Sequence, residues 1–128
     1  MPHFVVDKIQ NALNDHTKSL KGSHIHVLGV AYKKDIEDVR ESPALDIMLL
    51  LKRRGARITF SDPHVAELQL DGEKLSSDDL SLVATADCTV IVTDHSAFNY
   101  RKIADQAKLI VDTRNALKGI SSEKIVRL

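Results

Sequence analysis

The sequence predicts a three-layer, doubly wound α/β fold built on a mainly parallel sheet. Three observations carry that expectation. Strand-like apolar runs alternate with helical stretches of ten or so residues, which implies parallel pairing through right-handed crossovers. The run Thr89-Val-Ile-Val-Thr93 is apolar enough to sit centrally in such a sheet. The chain is 128 residues long with 43% apolar content, which suits one domain burying roughly two thirds of its unfolded surface.

Taken in order, Pro2 suits an early helical position, and Val5, Ile9, Leu13 and Leu20 mark an apolar stripe at roughly helical spacing. The predicted helix runs to about Lys18 and stops before Lys21-Gly22-Ser23. It either folds back on the sheet or belongs to a preceding domain or an oligomer contact. Ile25 to Val30 reads as the first strand. The next helix has clear punctuation: Ser42 as N-cap, Pro43 at its first position, Asp46 near the positive end, Lys52, Arg53 and Arg54 near the negative end, and Gly55 as the stop. Its run Ala44-Leu45, Ile47 to Leu51 covers more than half the circumference, so burial on more than one side is expected, a hint of a partner domain.

Arg57 to Ser61 reads as the second strand, closed by Asp62-Pro63. From His64 to Ser77 the chain is polar and reads as irregular, with a short extended piece at Leu68 to Leu70. Ser77 is the expected cap of a helix reaching about Ala86. Thr89 to Thr93 is the third strand, Phe98 to Gln106 a short helix capped by Ser96, and Leu109 to Asp112 the fourth strand. Ile125 to Leu128 adds an edge strand.

The charge sum is zero, 18 basic against 18 acidic side chains, whereas a nucleic-acid binder would normally be basic. No run approaches the ~20 apolar residues of a membrane span, and the start lacks the pattern of a signal peptide. The lone Cys88 allows no intrachain disulfide, and its apolar strand setting predicts a buried, inert thiol. A cytoplasmic setting follows.

Loops after parallel strands gather along one edge, where such folds bind ligands. That edge is expected to collect Tyr32, Lys33, Lys34 and Arg40, then Asp62 and His64, then Asp94, His95 and Ser96, and finally Thr113, Arg114 and Asn115. The cations suit an anionic ligand, most simply a phosphate or diphosphate; Lys33 and Arg114 could hold it while Tyr32 flanks a base. The plainer reading is a solvated, charged edge. Asp94-His95-Ser96 has the residue types of a hydrolytic triad, but three consecutive residues cannot converge as a triad must. Asp94 is expected to form local hydrogen bonds instead. His24 and His26 share a strand face without further ligands at recognised spacing, so they read as half-buried strand histidines and no metal site is assigned. Asp62 stands where dinucleotide-binding folds place a ribose-binding acid, but only Gly29 follows the first strand, so the phosphate fingerprint G-x-G-x-x-G is missing.

Four segments in the right order, Gly29-Val-Ala-Tyr-Lys-Lys-Asp-Ile-Glu-Asp-Val-Arg-Glu-Ser-Pro-Ala-Leu-Asp46, Ser61-Asp-Pro-His64, Val92-Thr-Asp-His-Ser-Ala-Phe98 and Ile110-Val-Asp-Thr-Arg-Asn-Ala116, resemble the C-terminal domain of the UDP-glucose/GDP-mannose dehydrogenase family. The wording is closest to the branch acting on UDP-N-acetylhexosamines. The resemblance implies a Rossmann-like, UDP-sugar-binding domain at residues 21–128. It implies that residues 1–20 form the helix leaving a central dimerisation domain. By the same resemblance Tyr32, Lys33 and Arg114 touch the nucleotide-sugar, and Arg40 reaches NAD held by another domain. The implied parent reaction takes UDP-sugar to UDP-uronate with two NAD per turnover, in a homodimer. The 128 residues hold neither the NAD-binding domain nor the catalytic cysteine motif of that family; Cys88 does not match it. The chain is thus expected to be a fragment, inactive alone, with no catalytic residue of its own. The alternative is a non-catalytic nucleotide-binding or interaction module docking through its first helix and Leu49 to Leu51.

Overall fold

In a computed structural model, residues 2–31 and 43–127 are described. The helices are α1 (Pro2–Asp15), α2 (Pro43–Arg53) and α3 (Tyr100–Gln106). The strands are β1 (His24–Leu28), β2 (Arg57–Ser61), β3 (Glu67–Leu70), β4 (Glu73–Ser76), β5 (Cys88–Ile91), β6 (Ile110–Asp112) and β7 (Ile125–Arg127), and a short 3-10 helix spans Leu80–Ala84. One five-stranded sheet runs β2-β1-β5-β6-β7 with every neighbouring pair parallel. The predicted Rossmann-like layering is observed.

Alternation sorts the strand residues onto two faces. Ile25, Val27, Phe60, Val90 and Val111 pack with α1, α2 and the β3–β4 hairpin. Leu28, Ile91 and Ile110 pack with Val83, Ile103 and Leu117 on the side of α3. The stripe of α1 folds back into the first core, with Val6, Ile9 and Leu13 fully covered. The width of α2's apolar surface is taken up within the chain. Ile47, Met48 and Leu51 are buried, Leu45, Leu49 and Leu50 pack partly against the core, and α1 and β3 both contact the helix.

Several boundaries differ from expectation for identifiable reasons. Helix α1 ends at Asp15 rather than Lys18, because Thr17 adopts φ 59°. Lys18 N–H then donates to Leu13 O and Thr17 N–H to Asn14 O, both at 2.9 Å, closing a Schellman turn around a threonine. The same turn ends α2 at Gly55 (φ 94°), the glycine stop that was expected. The segment read as irregular is a hairpin: Asp71 and Gly72 have φ 53° and 79°, the two left-handed residues of a type I′ turn. Ser77 caps no helix; its N–H closes the hairpin on Ala66 O, and its Oγ accepts from Asp62 N–H at 3.0 Å. The helix that follows is only a 3-10 turn capped by Asp79. Likewise α3 is capped by Asn99, whose side chain accepts from Lys102 N–H, and not by Ser96.

The second face of the sheet is polar at β1 and β2. His24 and His26 lie on one side as expected, but both are buried, His26 completely. Thr59 Oγ1 joins His24 Nε2 (2.7 Å) to His26 Nδ1 (2.6 Å), and His26 Nε2 meets Ser61 Oγ at 2.8 Å.

Candidate ligand-binding edge

The chain passes from β1 to α2 on one face and from β5 to α3 on the other, while β1 and β5 are neighbours. The crevice outside their carboxyl ends is the position where open α/β sheets take ligands. Beside it, β1 leaves the sheet through Gly29, Val30 and Ala31. Gly29 has φ 83°, and a Cβ there would stand 2.4 Å from Thr93 O, so only glycine permits this approach of β1 to β5.

Asp62, at the end of β2, turns inward. Its Oδ2 accepts from Val30 N–H (2.8 Å), Ala31 N–H (3.1 Å) and His95 Nε2 (2.9 Å), and its Oδ1 accepts from His64 N–H (2.8 Å). Both side chains of the Asp62–His95 pair have 0% exposure. Because the carboxylate only accepts, the His95 proton shared with it sits on Nε2. From the other flank, Thr93 Oγ1 donates to Ala31 O at 2.7 Å. Ala31 is therefore held at both its N–H and its carbonyl, and Tyr32 is its covalent successor.

A second inward aspartate shapes the loop after β6. Asp112, 1% exposed, accepts from the N–H groups of Arg114 (3.0 Å), Ala116 (3.1 Å) and Leu117 (2.9 Å). Asn115 takes the left-handed conformation within that turn, φ 57°. Thr113 Oγ1 donates to Ile91 O. Arg114 is left exposed, with Nε donating to Val92 O at 2.9 Å, which fixes its guanidinium at the end of β5. Val92 adjoins Thr93, so Arg114 and Ala31 stand on the same edge.

Of the residues expected to contact the nucleotide-sugar or NAD, Arg114 is the one inside the described residues; Tyr32, Lys33 and Arg40 lie outside them, as do Lys34 and the Ser42 cap. Asp62 and His95, expected to face the crevice, instead build its floor. Asp94 forms the local bond anticipated for it, accepting from Tyr100 Oη at 2.8 Å. Burial first, then that bond to Asp94, push the Tyr100 hydroxyl above its ordinary range. Cys88 is buried, and loss of water pushes its thiol up to about 12, so it is neither thiolate nor nucleophile. Sequence reasoning missed the Asp62–His95 pair. Its signal was Asp-Pro-His after one strand and Asp-His after another, legible only once both strands are known to flank β1.

Among the described residues, the main chain after β1 does not offer a dinucleotide the usual cradle. In folds that hold NAD, main-chain N–H groups after the first strand face the pyrophosphate. Here Val30 and Ala31 spend theirs on Asp62, and Thr93 fills the space beside Gly29. Two cavities among the described residues are small. One of about 160 Å³ lies between Asp62 and Phe98, and one of about 180 Å³ lies between Lys52 and Leu75. Both fall short of the roughly 300 Å³ at which ligand pockets begin. Among the described residues, Arg114 is a cation held at this edge, where an anionic ligand would meet it.

Fold and edge together define a Rossmann-like domain with a switch-point crevice between β1 and β5. The chain belongs to the UDP-glucose/GDP-mannose dehydrogenase family, whose UDP binding domain matches residues 26–119. It is 31% identical over 126 residues to a UDP-N-acetyl-D-mannosamine dehydrogenase of Methanococcus maripaludis, covering 92% of this chain and 28% of that protein. It is 34% identical to the UDP-glucose 6-dehydrogenase of Rickettsia bellii, covering 97% of this chain and 30% of that one. Among solved structures, the UDP-D-ManNAc dehydrogenase of Pyrococcus horikoshii superposes with a TM-score of 0.80 at 27% identity, over 98% of this chain and 30% of that one. The chain thus spans about 30% of the length of these relatives. No helix among the described residues is long and apolar enough to cross a membrane.

Proposed function

We propose that these residues form the UDP-sugar-binding part of an NAD-dependent nucleotide-sugar 6-dehydrogenase, converting UDP-sugar to UDP-uronate with two NAD per turnover. Residues 21–128 are the binding domain, and residues 1–20 the helix leading from a central dimerisation domain of a cytoplasmic homodimer. Tyr32, Lys33 and Arg114 contact the nucleotide-sugar, and Arg40 reaches NAD bound by another domain. The observation that carries this reading is Arg114 Nε on Val92 O, at the same edge where Thr93 holds Ala31, the residue before Tyr32-Lys33. Cations from loops far apart in sequence then address one diphosphate.

The test is a titration of the chain with UDP, UDP-glucose and UDP-N-acetylhexosamines, followed by amide shifts and calorimetry. Lys33→Ala and Arg114→Ala should each weaken binding about tenfold or more, since a charge-assisted contact is worth roughly 1.5–3 kcal/mol. Unchanged dissociation constants in both variants refute the roles. The 128 residues alone should form no NADH from UDP-sugar and NAD, lacking a dinucleotide site of their own; NADH formation refutes that.

A further inference from the structure

The Asp62–His95 pair is fully buried, and it holds the last two residues before Tyr32 and Lys33. We propose that Asp62, His95 and Thr93 are positioning residues for UDP-sugar binding, an inference that rests on the reading above. They come from the ends of the two strands flanking β1 and grip the peptides on either side of Ala31. Asp62 holds Val30 N–H and Ala31 N–H, and Thr93 holds Ala31 O. With Gly29 backed onto Thr93, the direction in which the chain leaves the sheet is set before Tyr32 begins. A carboxylate suits this task because its two oxygens accept several N–H groups at once. His95 supplies the donor that holds the carboxylate in place, and its own ring packs between His64 (4.8 Å) and Phe98 (5.8 Å). Buried polar pairs of this kind are weak evidence for stability as such; here the pair's partners are the main-chain N–H groups of Val30 and Ala31.

The experiment compares the unmodified chain with Thr93→Val, Asp62→Asn, His95→Leu and His95→Gln by UDP titration, thermal melting and amide exchange at Val30 and Ala31. Thr93→Val and His95→Leu should melt cooperatively and bind UDP about fivefold or more weakly, the size of one lost hydrogen bond. Asp62→Asn and His95→Leu should speed exchange at Val30 and Ala31 relative to the rest of β1. His95→Gln, which keeps a donor toward Asp62, should recover most of the affinity lost in His95→Leu. Unchanged affinity in folded Thr93→Val and His95→Leu, with the unmodified chain binding UDP, overturns the positioning role and leaves the functional reading intact. No binding by the unmodified chain removes the functional reading itself, while the exchange rates still report whether the clamp exists. If Asp62→Asn fails to fold, Thr93→Val and His95→Leu decide.

Discussion

Lowering the pH should destabilise this protein through His26. Ser61 Oγ lies 2.6 Å from Asp78 O and must donate to it, so Ser61 Oγ accepts from His26 Nε2–H. His26 Nδ1 is then bare and accepts from Thr59, whose oxygen accepts in turn from His24 Nε2–H. A second proton on His26 would meet the Thr59 hydroxyl head-on. Burial, and then the charge of His24, bring the His26 pKa from 6.5 to about 4. The unfolded chain takes up that proton near pH 6.5 and the folded one only near 4. Between those values the unfolded state binds more protons, so stability falls as pH falls. At about 1.4 kcal/mol per pH unit the full loss is about 3 kcal/mol below pH 4, of which about 2 kcal/mol is already gone at pH 5. His24, lowered chiefly by burial and then by Arg57, pushes the same way. Urea unfolding followed by circular dichroism at pH 7.5 and pH 5 measures the difference. His26→Gln, neutral throughout, should remove about 2 kcal/mol of it whatever its absolute stability. A variant that keeps the unmodified chain's pH dependence refutes the assigned protons.

Gly29→Ala should cost about 2–4 kcal/mol in the same urea assay, from the left-handed backbone plus the collision with Thr93 O. Gly22→Ala has nearly the same φ, +85°, but open space around it. It should cost only about 1–2 kcal/mol, and equal losses would show that the Thr93 contact is soft. Thr17→Gly should raise stability by about 0.5–1 kcal/mol, relieving a β-branched residue at φ 59°. A lower melting temperature would mean that the Thr17 hydroxyl bond to His16 O outweighs the backbone gain.

The layers and the parallel sheet were legible because hydrophobic alternation and capping residues act locally. Pro43 at the start of α2 and Gly55 after it bracketed that helix for this reason. The hairpin reads as irregular in the sequence, because its exposed strand β4 carries almost no apolar residues to advertise it, although Asp71-Gly72 suits its turn. Thr17 gave no sign of ending α1, since a threonine there is disfavoured and is held by tertiary packing of the stripe. The inward turn of Asp62 and His95 could not be read from either segment alone. It depends on β2 and β5 both lying beside β1, a fact of strand order. Arg114 was legible as an edge cation, whereas its tie to Val92 O again required knowing which strand it would meet.

By placing the Asp62 carboxylate against Val30 and Ala31, the chain carries its own surrogate for a phosphoryl group. A redesign that grafted cofactor recognition onto this scaffold would gain nothing from added glycines until that surrogate was deleted. Conversely, on the reading proposed above, long cationic side chains meet the anion, so its preference can drift by single substitutions without disturbing the sheet beneath.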